Sequence, residues 1–427
     1  MSPASSHRQS SCIFQLGVSL TMASLRRIRS PLERTSVLML FALAWVWILG
    51  TVVMLSFLQN QPKLRSKSLV LSPSTTTSSL PQTHKGDATP LLIFTCRRAE
   101  YLARTLDYIF KFLPRDGSIG APILISQDGS DASVAATVHN YTQQFARLHI
   151  PVEHWQHTPD HAGRPYEALA LHYGWALRRV FDAGYPRVLI LEEDLQIAPD
   201  FFSYFAALTP FIDHDPTILA VSAFDDNSKA KGGRASKRVL RSDFFPGLGW
   251  MMGAKVWSEL RDTWPSGYWD DWLRDPGQRK GRHILRPEVS RTFHFGTKGG
   301  ASHNQFGDNL QTNTINQEAI DWSKENLGYL AVERYDRDYW RLLQACRVAQ
   351  SLPSALEHVK LGDTRLEYHS LNQFTSLATQ LGLMSDEKAG VPRTAYKGVV
   401  EARIDGKHIL FLTPPLAELQ QSFADAI

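Results

Sequence analysis

Three adjacent carboxylates, Glu192-Glu193-Asp194, close the apolar run Val188-Leu189-Ile190-Leu191. At a buried strand end such groups repel one another and are costly to desolvate. A cation relieves both problems, and hard oxygen ligands suit Mg²⁺ or Mn²⁺ that also holds substrate phosphates. The same triplet also reads as a solvated acidic turn ahead of a helix near Pro199. A second group lies in WPSGYWDDWLR (264–274), where Asp270 and Asp271 stand between Trp269 and Trp272. Indole faces pack against sugar rings, and a carboxylate beside them is partly desolvated, which raises it toward a useful general base. The competing reading is a Trp-rich core edge with an Asp capping a helix. A third segment, FGTKGGASHNQF (295–306), carries Lys298, Ser302 and His303 among glycines. Its backbone N–H groups could cradle a diphosphate, or it could be an ordinary surface loop. LRSDFFPGLGWMM (240–252) offers an apolar wall and a backbone suited to close approach by a ligand. Zinc is excluded for the histidines: there is no HExxH and no cysteine pair at ligand spacing.

The elements that would position these groups alternate. PLLIFTC (90–96), PILISQD (122–128), PVEHW (151–155), RVLILEED (187–194) and ILAVSAF (218–224) read as strands. Helical spacing fills 99–112, the stretch up to about 146, and 166–183. The pattern predicts an α/β fold with a mostly parallel central sheet covered on both faces. Ligands in such sheets bind at the carboxyl ends of the strands. That is where Arg97-Arg98, Gln127-Asp128 and the acidic triplet fall. No GxGxxG or P-loop sequence occurs there. Further on, KGVVEAR (397–403) and HILFLT (408–413) predict two antiparallel strands around a turn at Asp405-Gly406. Residues 331–427 read as a smaller C-terminal domain.

The 427 residues are 43% hydrophobic and 21% charged, an ordinary globular composition. The formal charge of +4 is unevenly spread: +4 over 1–36, +3 over 59–88, none in 37–58, hence −3 over 89–427. A slightly acidic main body argues against nucleic acid as a partner. Three cysteines (Cys12, Cys96, Cys346) exclude a disulfide scaffold. Residues 37–58, VLMLFALAWVWILGTVVMLSFL, carry no charge. At about 1.5 Å per residue they span roughly 33 Å, enough for a bilayer core. The next thirty residues hold thirteen Ser, Thr or Pro and read as a stem. The layout predicts a short cytoplasmic tail (1–36), one membrane anchor (37–58), a stem (59–88) and a luminal body. Asn140-Tyr141-Thr142 is the only acceptable glycosylation sequon.

In this order, SQDGS, HYGWAL, LEEDLQIAPDFFSYF, VSAFDDN, RSDFFPGLGWMM, YWDDWLR, RPEVSRTFHFG, YDRDY and GVPRTAYKG resemble the alpha-1,3-mannosyl-glycoprotein 2-beta-N-acetylglucosaminyltransferase (N-acetylglucosaminyltransferase I) family. The resemblance runs from about residue 90 almost to the end. It implies a GT-A nucleotide-sugar-binding fold over 89–296, a donor loop and linker over 297–330, and a single-pass type II protein of the Golgi membrane. It also implies UDP-GlcNAc as donor, Mn²⁺ as cofactor, and inverting transfer to mannose O2 of an N-glycan on glycoproteins. By matching blocks, Asp194 would bind the metal, Glu192 the GlcNAc and Glu193 the ribose. Arg98 and Asp128 would hold the uracil end with His172 nearby. Asp270 would be the general base, Trp269 would line the GlcNAc pocket, and Ser302 would meet the diphosphate.

The sequence departs from the family at several points. Glu193 stands where Asp is usual, Arg97 replaces a common Asp, and the glycine loop is one residue longer. Gly129 replaces the cysteine that would pair with Cys96, so that disulfide is absent. Two other readings stay open on the residues alone: β1,2 transfer to O-linked mannose on protein, and a non-catalytic, membrane-tethered sugar binder. A two-carboxylate glycoside hydrolase is disfavoured by the metal-type triplet and the glycine loop.

Overall fold

The computed structural model describes residues 86–158, 164–229, 235–299, 307–404 and 406–424. The predicted tail, anchor and nearly all of the stem, together with Ser302, His303, Cys12 and Asp405, lie outside them. Among the described residues no helix is long and apolar enough to cross a membrane.

The strands run in chain order as β1 (Thr89–Thr95), β2 (Ile119–Asp128), β3 (Val152–His157), β4 (Arg187–Glu192), β5 (Leu195–Ile197), β6 (Ile218–Ser222), β7 (Val239–Ser242), β8 (Trp250–Gly253), β9 (His283–Pro287) and β10 (Thr292–His294). Eight of them form one sheet in the order β3-β2-β1-β4-β8-β6-β9-β7. The first four are mutually parallel. β8 then runs antiparallel to both β4 and β6. The sheet is therefore mixed, mostly parallel on its functional side. β5 and β10 form a separate antiparallel pair just beyond the end of β4.

Both faces of β1 and β4 are buried, which is why these strands read as unbroken apolar runs. Leu91, Ile93, Leu189 and Leu191 belong to one core and Leu92, Phe94, Val188 and Ile190 to the other. Fully burying each such side chain is worth about 1.5–3 kcal/mol. Helix α1 (Ala99–Phe112) turns Leu102, Leu106 and Ile109 onto the first core, one stripe at spacings of four and three. Its N-cap, Arg98, makes no capping bond with its side chain, so the guanidinium is free for other partners. Asp131 caps α2 (Ala132–Ala146) by accepting from Ser133 and Val134 N–H. Exposed Asn140 lies on this helix. α3 (Pro165–Asp182) buries Ala170, Tyr173, Ala176 and Leu177 in the second core. Next come α4 (Phe201–His214), α5 (Ala254–Leu260) and the six-residue α6 (Trp269–Arg274).

The C-terminal region has its own four-stranded sheet, β11 (Arg347–Ala349), β12 (Thr364–Glu367), β16 (Ile409–Thr413) and β15 (Val400–Arg403), in that order. β15 and β16 pair antiparallel, as their sequence predicts. Between β12 and β15 lies a two-stranded hairpin of β13 (Glu387–Lys388) and β14 (Val391–Pro392).

Candidate active site

The carboxyl ends of β1, β2 and β4 gather the first group of charged side chains. In register, Phe94 of β1 faces Glu192 of β4, and Thr95 faces Gln127 of β2. After Glu192 the chain turns and returns as β5, and β5 pairs with β10 so that His294 lies opposite Leu195. This return brings His294 Nε2 to 3.3 Å from Asp194 Oδ2. Gly296 completes the turn. A Cβ there would run into the Asp194 carboxylate, about 2.9 Å from its Cβ and Cγ and closer still to Oδ2.

Arg98 binds the triplet from the other side. Its Nε donates to Glu193 Oε1 at 2.6 Å, its Nη2 lies 2.9 Å from Asp194 Oδ2, and its Nη1 donates to the Lys298 carbonyl at 3.1 Å. Glu193 Oε2 also accepts from Thr95 Oγ1 and, at 3.0 Å, from Cys96 N–H. Glu193 is thus fully engaged by protein partners. Asp194 is not: its buried Oδ1 has no hydrogen-bond partner, and neither has buried His294 Nδ1. Burial raises the Asp194 carboxyl, but His294 and Arg98 beside it hold it below the usual carboxylate range. Glu192 behaves oppositely: burial first, then the Asp194 charge, push it up to about 7.

The orphaned Asp194 oxygen is the test of whether a divalent cation fits. An unpartnered buried carboxylate oxygen is costly, and a hard cation is its natural partner. Among the described residues no three His, Cys, Asp or Glu side chains gather to hold a metal by themselves. The donor set therefore suits a cation bound through one carboxylate with substrate phosphates and water as its other ligands. A cavity of about 430 Å³ opens beside this cluster, with Arg97, Arg98, Tyr101, Ser133 and Lys298 in its wall.

Asp128, at the end of β2, lies 2.7 Å from His157 Nδ1, its cross-strand partner on β3. His157 stacks on His172, with centroids 5.2 Å apart. His172 Nε2 is 2.7 Å from Ser126 Oγ, and burial lowers its pKa to about 3. Cys96 sits between the two charged groups: burial, then Asp128 and Glu193, push its thiol up. Cys96 and Cys346 are both free.

The second group rides on α6. Asp270 and Asp271 occupy its first turn, and Arg274 its last. One nitrogen of Arg274, Nη1, donates to Asp270 Oδ2 at 2.9 Å and to Asp271 Oδ1 at 2.6 Å. The Arg274 Nε is anchored on the Phe245 carbonyl at 2.9 Å. From the C-terminal hairpin, Lys388 Nζ reaches Asp271 Oδ2 at 3.0 Å. Trp269 is only 5% exposed. Its ring stacks on Tyr173 at 4.2 Å and on Trp250 at 5.7 Å.

Tyr173 joins the two groups. Its ring lies between Phe94, at 3.7 Å, and Trp269, and its hydroxyl donates to Glu192 Oε1 at 2.9 Å. Burial drives its pKa well up, and the charges of Glu192, Asp194 and Asp270 add to the rise. Tyr173 thus links the Glu192 end of β4 to the helix that carries Asp270. Sequence reasoning missed Tyr173, His157 and His294, since a Tyr on a helix's apolar stripe reads as core. Of the nine predicted site residues, all but Ser302 are described: Arg98, Glu192, Glu193 and Asp194 form one cluster, Asp128 and His172 a second beside it, Trp269 and Asp270 a third on α6.

The GNT-I family model matches residues 59–424 of this chain. An alpha-1,3-mannosyl-glycoprotein 2-beta-N-acetylglucosaminyltransferase of Arabidopsis thaliana is 38% identical over 337 residues, covering 77% of this chain and 74% of that one. Among solved structures the chain is similar to a mannosyltransferase from Pyrobaculum calidifontis in complex with GDP-Man and Mn²⁺, at a TM-score of 0.33 and 16% identity. That similarity covers 61% of this chain and 63% of the other.

Proposed function

The chain belongs to the GNT-I family, and on that premise we propose how its cleft divides the work. The protein is an N-acetylglucosaminyltransferase that moves GlcNAc onto the α1,3-linked mannose of an N-glycan. We read the donor as UDP-GlcNAc, the fold as GT-A and the transfer as a single displacement that inverts an α-linked donor to a β1,2 product. The mannose 2-hydroxyl attacks the anomeric carbon from the face opposite UDP. Asp270 takes the hydroxyl proton, a role typically contributing about 10²–10⁴-fold. Arg274 holds Asp270 through a 2.9 Å bond and so fixes where the accepting oxygen points.

On the donor side, Arg98 and Lys298 border the cavity where the diphosphate would lie. Asp128, with His157 and His172 packed beside it, would hold the uracil end. Glu193 acts through Arg98; a direct ribose contact would require one of its protein bonds to exchange. Glu192 would contact the GlcNAc. Trp269 backs Tyr173 and supports the sugar pocket from behind. A divalent cation, Mn²⁺ by resemblance, would bind through Asp194 and offset charge developing on the UDP oxygens. Ser302 would contact the diphosphate. We place the body in the Golgi lumen, anchored by 37–58; exposed Asn140 is compatible with a secretory compartment.

The observation that carries the site reading is the unpartnered Asp194 Oδ1, in a cluster that Tyr173 links to the Asp270 helix. Asp194→Asn is its test. The variant should lose the gain in UDP affinity that Mn²⁺ confers, measured by calorimetry with metal and with chelator. Metal-enhanced UDP binding at wild-type strength would remove Asp194 as the ligand.

A further inference from the structure

Immediately before Trp269 and Asp270 stands a residue that the reaction as described does not use. Tyr268 is 58% exposed. Its backbone is left-handed, with φ 48° and ψ 47°, a region bulky residues rarely adopt. Its ring stacks on Tyr166, on the first turn of α3, with centroids 4.6 Å apart and planes 20° from parallel. Two aromatic rings are thus held together at the surface, one of them on a strained backbone. Strain of this kind persists where the surrounding structure imposes it, often at ligand sites. Tyr166 also feels Asp270: after burial, the Asp270 charge is the next influence raising its phenol. The stack therefore adjoins the proposed base. Polar groups border it. Gly267 packs against Glu167, and Glu167 pairs with the exposed Arg164 at 2.9 Å.

The geometry points to the Tyr268–Tyr166 stack as the acceptor subsite: the platform on which the mannose arm of the glycan lies. This rests on the transferase reading above. An inverting displacement puts donor diphosphate and acceptor on opposite sides of the anomeric carbon. The base must touch the acceptor hydroxyl, so the open surface next to Asp270 belongs to the acceptor. Trp269 cannot provide that surface, because its ring is covered by Tyr173 and Trp250. Tyr268 is the exposed aromatic beside it. A ring face offers apolar contact to the C–H side of a pyranose, and its hydroxyl end stays wet. Arg164 and Glu167 supply donors and acceptors for the sugar hydroxyls at the rim.

The test is Tyr268→Asn, since Asn tolerates the left-handed backbone and removes the ring, with Tyr268→Phe as the conservative partner. The full chain in detergent is assayed with UDP-GlcNAc and a five-mannose N-glycan. Glycan binding is followed separately by saturation-transfer NMR in the presence of UDP and Mn²⁺. Tyr268→Asn should raise the acceptor KM about tenfold or more, with the donor KM within twofold, and should weaken the glycan signal. Tyr268→Phe should restore both. An unchanged acceptor KM and glycan signal in Tyr268→Asn would overturn the subsite while leaving the transferase reading intact. If the wild type transfers nothing yet binds the glycan through Tyr268, the platform stands and the transferase reading falls. A wild type that neither transfers nor binds the glycan contradicts both.

Discussion

The two groups that Tyr173 joins, the strand ends and the short helix α6, are built on different principles. The donor side is made of strand ends: Arg98, Glu193 and Asp194 are locked by ion pairs of 2.6–2.9 Å, two of the three buried. The base side is a six-residue helix whose carboxylates are about one-third exposed and share a single arginine nitrogen. On the proposed function, the first would present fixed charge to a small, highly charged diphosphate. The second would leave an open surface for a large, mostly neutral glycan. Preorganisation at a diphosphate and accessibility at an acceptor are opposite demands, and the proposed roles assign them to different elements.

Mutations should break along this line. The largest effect is expected from Asp270→Asn: turnover should fall by about 10²–10⁴, with UDP binding unchanged, by steady-state kinetics and calorimetry. Next is Glu193→Ala. It leaves Arg98 with Asp194 alone as its carboxylate partner and takes the acceptor from buried Thr95 Oγ1; a stranded buried donor costs about 1–3 kcal/mol. Denaturant unfolding should show it, whereas Asp271→Ala on the base side should cost less.

The buried His172 gives the donor side a pH signature. Its native pKa of about 3 lies below the ordinary 6.5. The unfolded chain therefore takes up the proton first as pH falls. The stabilisation is present above about 6.5 and is lost as pH drops toward 3, by up to about 1.4 kcal/mol per pH unit. His172→Gln should flatten that slope in denaturant titrations between those values. The smallest effect belongs to Lys388→Met. Its pair with Asp271 is solvent-exposed, so stability should change by less than about 1 kcal/mol. A large loss would mean the C-terminal hairpin is needed to hold the base helix.

The difference between the two sides also explains what the sequence disclosed. β1 and β4 are buried on both faces, so their apolar runs are unmistakable, and the charges ending them mark the proposed donor side. The 99–112 helix has a clean stripe and matches its expected limits. The base side was harder. β7, β8 and β9 are four or five residues each, too short for periodicity to register, and β8 enters the sheet antiparallel without a helical crossover. Trp269 and Tyr268 look alike in sequence as aromatics beside Asp270. Only packing shows that one is covered and the other open. His294 becomes part of the metal-side cluster through the pairing of β5 with β10, a contact about one hundred residues away in sequence. No local pattern encodes it.

The central claim is metal-dependent GlcNAc transfer by Asp270 onto a mannose held beside it. The most direct measurement incubates the full chain with UDP-GlcNAc and a five-mannose N-glycan, with Mn²⁺ or with chelator, and weighs the glycan. Proton NMR of the product then reads the new linkage. The account predicts a gain of one N-acetylhexosamine with metal only, β1,2-linked to the α1,3 mannose, and no gain for Asp270→Asn. Donor binding without transfer, transfer undiminished by chelator, or a product of α configuration would contradict it.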